Sequence, residues 1–211
     1  MPKQARSQET FDRFLDAVES LLIEREYAEI TIADIVERAE RTVGSFYTRF
    51  ADKNAALVAL VERTWAEELP FVERHLDPRQ WAGRSLEEIV REGVTLTLAA
   101  YRNPQRPLRS FVLLALQDPL YRARRAEMLR DLATAWKAVV LTREHEIGHP
   151  EPSVAVDRSY QHLIGVLDHL LLFGPMFPVD EVDDDRLVDD LVTTMLRILR
   201  GGDRAETADA V

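Results

Sequence analysis

The chain has 211 residues, a formal net charge of -10 and no cysteine, which excludes disulfide bonds, thiolate metal ligands and a cysteine nucleophile. Its 46% hydrophobic and 30% charged residues are typical of a folded globular protein. The apolar runs are too short to span a bilayer, and the N-terminal stretch lacks the apolar core of a secretory signal, so we expect a cytoplasmic protein.

The N-terminal part of the chain predicts three helices and the start of a fourth. Apolar residues recur at helical spacing over residues 11–22, as in an amphipathic helix. Thr31, followed three residues later by Asp34, resembles a capping box and predicts the start of a second helix. Thr42 is the next N-cap candidate, and Asp52 can start a long helix that continues to about residue 75.

Proline and glycine divide the rest of the chain into helix-sized blocks. We predict helices at about residues 85–102, 107–117, 119–147, 153–173 and 183–200. No alternating apolar pattern of useful length indicates a strand. The sequence therefore predicts an all-α protein.

A signature of spaced residues between Thr31 and Leu57 resembles the DNA-binding motif of the TetR family of transcriptional regulators. The matching positions are Thr31, Ile35, Val36, Ala39, Thr42, Gly44, Phe46, Tyr47, Phe50 and Lys53. The resemblance implies a helix-turn-helix DNA-binding domain over residues 1–54, a helical effector-binding and dimerisation domain over residues 55–200, and a disordered tail over residues 201–211. It further implies a regulator rather than an enzyme, in the family's usual form a repressor that binds a palindromic operator as a homodimer.

By this resemblance, double-stranded DNA is the partner of the second and third helices. Phosphate contacts are expected from two threonines, a tyrosine and a lysine, and base or backbone contacts from the exposed turn and face of the recognition helix. The full set of expected contacts is Thr31, Arg41, Thr42, Val43, Gly44, Ser45, Tyr47, Arg49 and Lys53. Alternatively the threonines are plain caps, Tyr47 is a core residue and the charged residues are solvated.

Two turns depart from the family pattern. The turn between the second and third helices reads Ala39-Glu40-Arg41 where Ala-Gly-Val is usual, and a left-handed glutamate costs about 1 kcal/mol. Glu26 stands where glycine is common after the first helix. Residues 1–53 contain 8 Lys or Arg and 11 Asp or Glu, a net charge of -3. DNA binding therefore depends on where the charges lie rather than on their sum.

The last two predicted helices are apolar over more than one stripe, which indicates either a second partner or a wide intramolecular core. By resemblance they form a four-helix interface in a homodimer, which would place two recognition helices on two half-sites about one DNA turn apart. The expected interface residues are Leu163, Leu167, Leu170, Leu187, Leu191 and Met195.

The middle helices are expected, again by resemblance, to enclose a small-molecule effector whose binding changes the separation of the two DNA-binding heads. Aromatic side chains with few polar tips suit an apolar or amphipathic molecule, although each of these residues is more often plain core than a ligand contact. No cofactor is implied. The candidate lining residues are Trp65, Leu69, Leu98, Tyr101, Phe111, Leu114, Trp136 and His169.

One motif favours a different class of protein. His145-Glu146-Ile147-Gly148-His149 matches the H-E-x-x-H pattern of zinc metalloproteases, which requires both histidines on one helical face. Gly148 and the following Pro150 weaken a helix there, so we expect no metal site at this motif. His162 and His169, seven residues apart on one helical face, are a metal-site candidate of similar weakness. A further alternative is a helical dimeric interaction protein without specific DNA binding, which the acidic balance and Glu40 favour.

Overall fold

The computed structural model describes residues 3–103, 107–174 and 183–202. Its contacts divide the chain into two compact units. The first unit comprises Met1–Pro70 and Asn103–Arg125, and the second comprises Phe71–Arg102 and Ala126–Val211. These two units do not correspond to the domains predicted from the sequence, whose boundaries lie after residues 54 and 200. Those domain boundaries stay a prediction. Residues 203–211 of the predicted tail lie outside the described residues.

All regular structure in the described residues is helical, which confirms the predicted all-α class. Short 3-10 turns occupy Tyr27–Glu29, Pro78–Trp81 and Leu141–Glu146. Among these described segments, none is a helix long and apolar enough to cross a membrane. In chain order the helices are α1 (Lys3–Glu24), α2 (Ile32–Arg38), α3 (Val43–Tyr47), α4 (Lys53–His75), α5 (Leu86–Arg102), α6 (Leu108–Gln117), α7 (Pro119–Val140), α8 (Pro152–Phe173) and α9 (Asp184–Arg200).

Two predicted helices have different bounds in the structure. The first begins at Lys3, well before residue 11, because its polar first turns carry no apolar period for the sequence pattern to detect. The helix predicted over residues 119–147 ends as α7 at Val140. Arg143, with φ of -117° and ψ of 32°, leaves the helical region within the 3-10 turn that follows.

An aromatic cluster fills the centre of the first unit. Phe14 on α1 and Phe46 on α3 are fully buried, and their ring centroids lie 5.4 Å apart in edge-to-face geometry. Phe50 lies 5.2 Å from Phe46 and stacks on Phe11 at 5.1 Å. A helix as short as α3 is unstable alone, so its position depends on this cluster.

The core of the second unit is built on α5, α8 and α9. Both apolar rows of α9 are buried in it, because this helix packs against α5 and α8 of the same chain. The side chains expected at a dimer interface are mostly buried within the single chain, and their role at an interface stays a prediction. Five are at most 8% exposed, and Leu170 packs half-buried against the same core; the five are Leu163, Leu167, Leu187, Leu191 and Met195.

Candidate nucleic-acid interface

A complete capping box starts α2, as the sequence predicts. The Thr31 hydroxyl oxygen accepts a hydrogen bond from the Asp34 backbone N–H at 3.2 Å, and the Asp34 carboxylate accepts one from the Thr31 N–H at 2.7 Å. The Thr31 hydroxyl also donates to Asp34 at 2.6 Å. These hydrogen bonds from Thr31, assisted by Arg25, lower the pKa of the Asp34 carboxyl. Thr31 thus has a structural role, and its contact with a phosphate stays a prediction.

A Schellman motif closes the turn from α2 to α3. The Arg41 N–H donates to the Val36 carbonyl at 2.9 Å, and the Glu40 N–H donates to the Glu37 carbonyl at 3.0 Å. This motif needs a left-handed residue, usually glycine, just after the helix. Glu40 takes that conformation with φ of 53°. The strained glutamate foreseen from the sequence is present, at a cost of about 1 kcal/mol.

One side of α3 is fixed by local bonds and burial. Thr42 caps the helix by accepting a hydrogen bond from the Ser45 N–H at 3.2 Å. Phe46 turns into the aromatic cluster. Arg49 folds back onto the helix, donating to the Ser45 carbonyl at 2.9 Å and to the Ser45 hydroxyl at 3.2 Å. Arg49 and Ser45 therefore hold each other, and their expected DNA contacts stay predictions.

The other side of α3 is exposed, and we call its residues Thr42, Val43, Gly44 and Tyr47 the α3 face. Val43 is 48% exposed and Tyr47 is 55% exposed. A Cβ atom built on Gly44 would meet nothing within 4 Å, so the backbone there is open to a close approach. Exposure of large apolar and aromatic side chains on a fixed helix is typical of a binding surface.

Arg41 lies beside this face but is engaged within the first unit. Its guanidinium donates to the Glu40 carbonyl at 2.9 Å and lies 4.0 Å from the Glu9 carboxylate of α1. Glu9 also pairs with Arg13 at 3.2 Å. Contact of Arg41 with a nucleic acid would therefore require exchange of these interactions.

Lys53 supports the turn that follows α1. Its ammonium group donates to the carbonyls of Tyr27 and Ile30 at 2.8 and 2.7 Å, and lies 4.3 Å from the Tyr27 ring centroid. Burial lowers the pKa of Lys53, opposed in part by the Asp34 carboxylate. The Tyr27 hydroxyl donates to Asn54 at 2.7 Å. Sequence reasoning missed Tyr27 and Asn54, because a contact between distant residues leaves no periodic signal.

Comparison with known proteins agrees with this helix-turn-helix. Residues 14–60 match the family model described as bacterial regulatory proteins, tetR family. These residues therefore form a DNA-binding helix-turn-helix of the kind found in TetR-family transcriptional regulators. The uncharacterized HTH-type transcriptional regulator YwcC of Bacillus subtilis is 37% identical over 60 residues, which are 28% of this chain and 27% of that relative. The match thus spans about a quarter of the relative's length.

Solved structures extend the likeness of fold to most of the chain. A putative TetR-family transcriptional regulator from Mesorhizobium loti has a TM-score of 0.68 at 15% identity, covering 92% of this chain and 96% of that one. The fatty acid degradation regulator FadR from Bacillus halodurans has a TM-score of 0.62 at 16% identity, covering 88% and 94%. A transcriptional regulator from Aquifex aeolicus has a TM-score of 0.57 at 19% identity, covering 88% and 97%. At these identities the likeness concerns the fold alone.

The residues expected to line an effector site are divided between the units. In the first unit, Phe111 and Leu114 are buried, Trp65 is half-buried and Leu69 is 37% exposed. A groove of about 430 Å³ in this unit has a different, mostly polar lining, so it does not correspond to the expected site. Its lining residues are Leu21, Arg25, Asp34, Glu37, Arg38 and Glu40.

The other four candidates lie in the second unit. Leu98 and Trp136 are buried, and the Trp136 indole nitrogen has no hydrogen-bond partner among the described residues. The Tyr101 hydroxyl donates to Asp168 at 2.9 Å, while His169 is exposed. An effector site lined by these residues stays a prediction.

The H-E-x-x-H motif is not α-helical, which disfavours the metalloprotease alternative. His145 and Glu146 lie in a 3-10 turn, and a Cβ on Gly148 would lie only 2.9 Å from the Arg200 carbonyl oxygen. Glu146 instead accepts a hydrogen bond from the Leu86 N–H at 2.9 Å, at the start of α5. The two histidines therefore do not share a helical face. Within the described ranges, no group of three or more His, Cys, Asp or Glu residues is placed to hold a metal ion.

Proposed function

We propose that this chain is a TetR-family transcriptional repressor that binds a palindromic DNA operator as a homodimer and is released by a small-molecule effector. The observation that carries the proposal is the α3 face. Val43 and Tyr47 are exposed on a helix whose opposite side is fixed by Phe46. A short helix displayed in this way suits insertion into the major groove, and its DNA partner would place the protein in the cytoplasm.

The α3 face suggests different roles for its members. The methyl groups of Val43 suit contact with a thymine methyl, which reads sequence. The Tyr47 phenol suits a hydrogen bond to a phosphate, which positions the protein without reading sequence. The open backbone at Gly44 allows close approach to DNA. Thr31, Arg41, Ser45, Arg49 and Lys53 hold the motif through their internal bonds, and in the proposed complex they also lie near the DNA backbone.

Selection of bound sequences from a random duplex library tests this proposal. The wild-type protein is expected to enrich a palindrome. Tyr47→Phe should weaken binding to all sequences by about tenfold, because one hydrogen bond to a charged phosphate is lost. Val43→Ala should instead change the preferred base at one position of each half-site. Tyr121→Phe, a change of the same kind elsewhere in the first unit, is the matched control and should bind as the wild type does.

A homodimer is proposed because a palindrome presents two half-sites that need two recognition helices. Since Leu163 and Leu167 of α8 and most of both rows of α9 are buried within the chain, the proposed interface uses the outer sides of these helices. On the outer side of α8, Gly165 is exposed, and a Cβ atom there would meet nothing within 4 Å. A glycine at such a point permits close approach of a second helix.

Molar mass by light scattering tests the dimer. Gly165→Arg should yield a monomer, because the long side chain occupies the space that the second copy needs. Thr95→Arg adds the same side chain to an exposed position of α5 in the same unit, and this control should stay dimeric. If Gly165→Arg also stays dimeric, the outer side of α8 is not the interface.

A helical dimeric interaction protein without specific DNA binding is the second candidate function. The net charge of -3 over residues 1–53 and the charged turn at Glu40 favour it. An intact dimer that enriches no sequence would support this candidate over the first. If an operator is found, loss of operator binding on addition of small molecules becomes the screen for the effector.

A further inference from the structure

Glu40 places a charged side chain at a backbone position that favours glycine. Its φ of 53° is the only positive value at a non-glycine residue in the described part of the chain. A second Schellman motif ends α9, where the Gly202 N–H donates to the Arg197 carbonyl at 3.0 Å and the Gly201 N–H donates to the Ile198 carbonyl at 3.2 Å. There the left-handed residue is Gly201, with φ of 91°. The Schellman motif after α9 thus has an unstrained glycine at its left-handed position, whereas the motif after α2 has a strained glutamate there.

The Glu40 carboxylate is exposed, and no described residue neutralises it. Neighbouring carboxylates are paired: Arg25 lies 3.4 Å from Asp34, and Arg38 lies 2.8 Å from Glu24. Arg41 bonds the backbone carbonyl of Glu40. Glu40 therefore presents an exposed carboxylate just before α3, without an ion pair among the described residues.

This charge lies close to any DNA that α3 contacts. Glu40 is two residues before Thr42, the cap of α3, and electrostatic effects on phosphates extend over a Debye length of about 10 Å. Binding that depends only on phosphates is weakened by such a charge whatever the DNA sequence. Among base edges in the major groove, cytosine N4 and adenine N6 carry the amino groups that can donate to a carboxylate.

We infer that Glu40 is a specificity-determining residue of the proposed DNA-binding surface, an inference that rests on the proposed function. Its carboxylate is repelled by phosphates in every complex. An operator that presents an exocyclic amino group to Glu40 offsets this repulsion, and other sequences do not. Glu40 thereby discriminates against non-operator DNA by repulsion. Retention of a strained glutamate at this turn is consistent with a role other than folding.

Three variants distinguish the effect of the Glu40 charge from the effect of its backbone strain and from the effect of a charge at a neighbouring position. Glu40→Gln removes the charge and keeps the strained Cβ atom. Glu40→Gly removes both. Glu37→Gln removes the same charge from an exposed residue of α2 that lines the same groove. Affinity for a random duplex and the base preference from library selection are measured for each variant, at several salt concentrations.

Glu40→Gln and Glu40→Gly are expected to bind the random duplex about tenfold more tightly than the wild type, as loss of one close repulsion predicts. Glu40→Gly should lose the preference for cytosine or adenine at one position of each half-site, whereas Glu40→Gln should shift the preference toward adenine, because a side-chain amide can bond both N6 and N7 of that base. Glu37→Gln should change the affinity twofold or less. Only Glu40→Gly should also raise the urea midpoint of unfolding, because only it removes the strain.

Equal effects of Glu37→Gln and Glu40→Gln would overturn the inference, since net charge would then explain the change. An unchanged affinity and base preference in Glu40→Gln would overturn it as well. If the wild type selects no sequence, the proposed function itself fails, and this inference fails with it. If the wild type selects an operator and Glu40→Gln behaves identically, the inference about Glu40 fails and the proposed function stands.

Discussion

The two units of this chain differ in how their helices are organised. In the first unit, side chains fix the starts of successive helices: Thr31 with Asp34 at α2, Thr42 at α3, and Asp52, which accepts a hydrogen bond from the Ala55 N–H at 2.8 Å, at α4. In the second unit, α5, α8 and α9 bury broad apolar faces, and Ser159 is the one fully buried polar residue among those described. Polar caps mark three successive helix starts in the first unit, whereas in the second unit a capping box of Ser85 and Glu88 at α5 accompanies a broader apolar core.

This difference explains why the sequence predicts helix starts more accurately than it predicts what an apolar helix face packs against. A cap and its partner are three residues apart, so the residues that set a helix start stand together in the sequence. An apolar row on a helix does not show whether the same chain or a second subunit covers it, because protein cores and subunit interfaces contain similar apolar side chains. Leu191 and Met195 were expected at an interface for this reason, and the structure buries them within the chain.

The largest expected effect concerns the aromatic cluster of the first unit. Phe46→Ala should lower the free energy of unfolding by about 3–5 kcal/mol, because it removes a fully buried ring. Hydrogen exchange followed by mass spectrometry should show lost protection over α1 and α3. Tyr47→Ala, at the next residue and 55% exposed, should change stability by about 0.5 kcal/mol or less. Similar losses in both variants would mean that the cluster does not hold α3.

A leucine in the second unit tests the distinction between core and interface. Leu191→Ala should lower the free energy of unfolding by about 2–5 kcal/mol, since its side chain is 3% exposed within the single chain. The loss should not depend on protein concentration, whereas an interface residue would act through dimer dissociation. Thr193→Ala, on the exposed side of α9, is the control. A loss of stability that disappears at high protein concentration would indicate that Leu191 lies in the dimer interface.

The fold could be predicted wherever neighbouring residues determine it. The starts of α2 and α3 could be predicted from Thr31 and Thr42. The left-handed conformation of Glu40 could be predicted because glycine usually stands at that position of the turn. The support of the α1–α2 turn by Lys53 and the use of Glu146 at the start of α5 did not follow, because they join distant parts of the chain. In the candidate site, the sequence predicts which residues surround α3 but not the internal bonds that they already make.

Gly93 of α5 packs closely against Trp136 in the second unit, which leaves no space for a larger side chain. A Cβ atom on Gly93 would lie 2.3 Å from the Trp136 ring, so Gly93→Ala should cost about 1–3 kcal/mol through overpacking. Gly44→Ala, where a Cβ atom meets nothing within 4 Å, should instead raise stability by about 0.5–1 kcal/mol, since alanine favours helix more than glycine. Urea unfolding of the two variants measures both effects. Changes of the same sign would show that Trp136 yields to the added methyl group.

The smallest expected effect concerns the capping box of α2. Thr31→Ala should lower the free energy of unfolding by about 1 kcal/mol, because the Asp34 N–H loses its acceptor. Thr10→Ala is the control, since the Thr10 hydroxyl bonds only the preceding turn of its own helix.

The effect of Thr31→Ala should also depend on pH. Hydrogen bonds from Thr31 hold the pKa of Asp34 below its ordinary value of 3.8 in the folded state. The unfolded chain therefore binds more protons at acid pH, and the contribution of the ionised Asp34 is complete above 3.8 and is lost as the pH falls through the folded pKa. The stability difference between the wild type and Thr31→Ala should accordingly shrink in acid. A difference that is the same at neutral and acid pH would mean that the carboxylate contributes nothing to the box, and that the Thr31 hydroxyl alone caps α2.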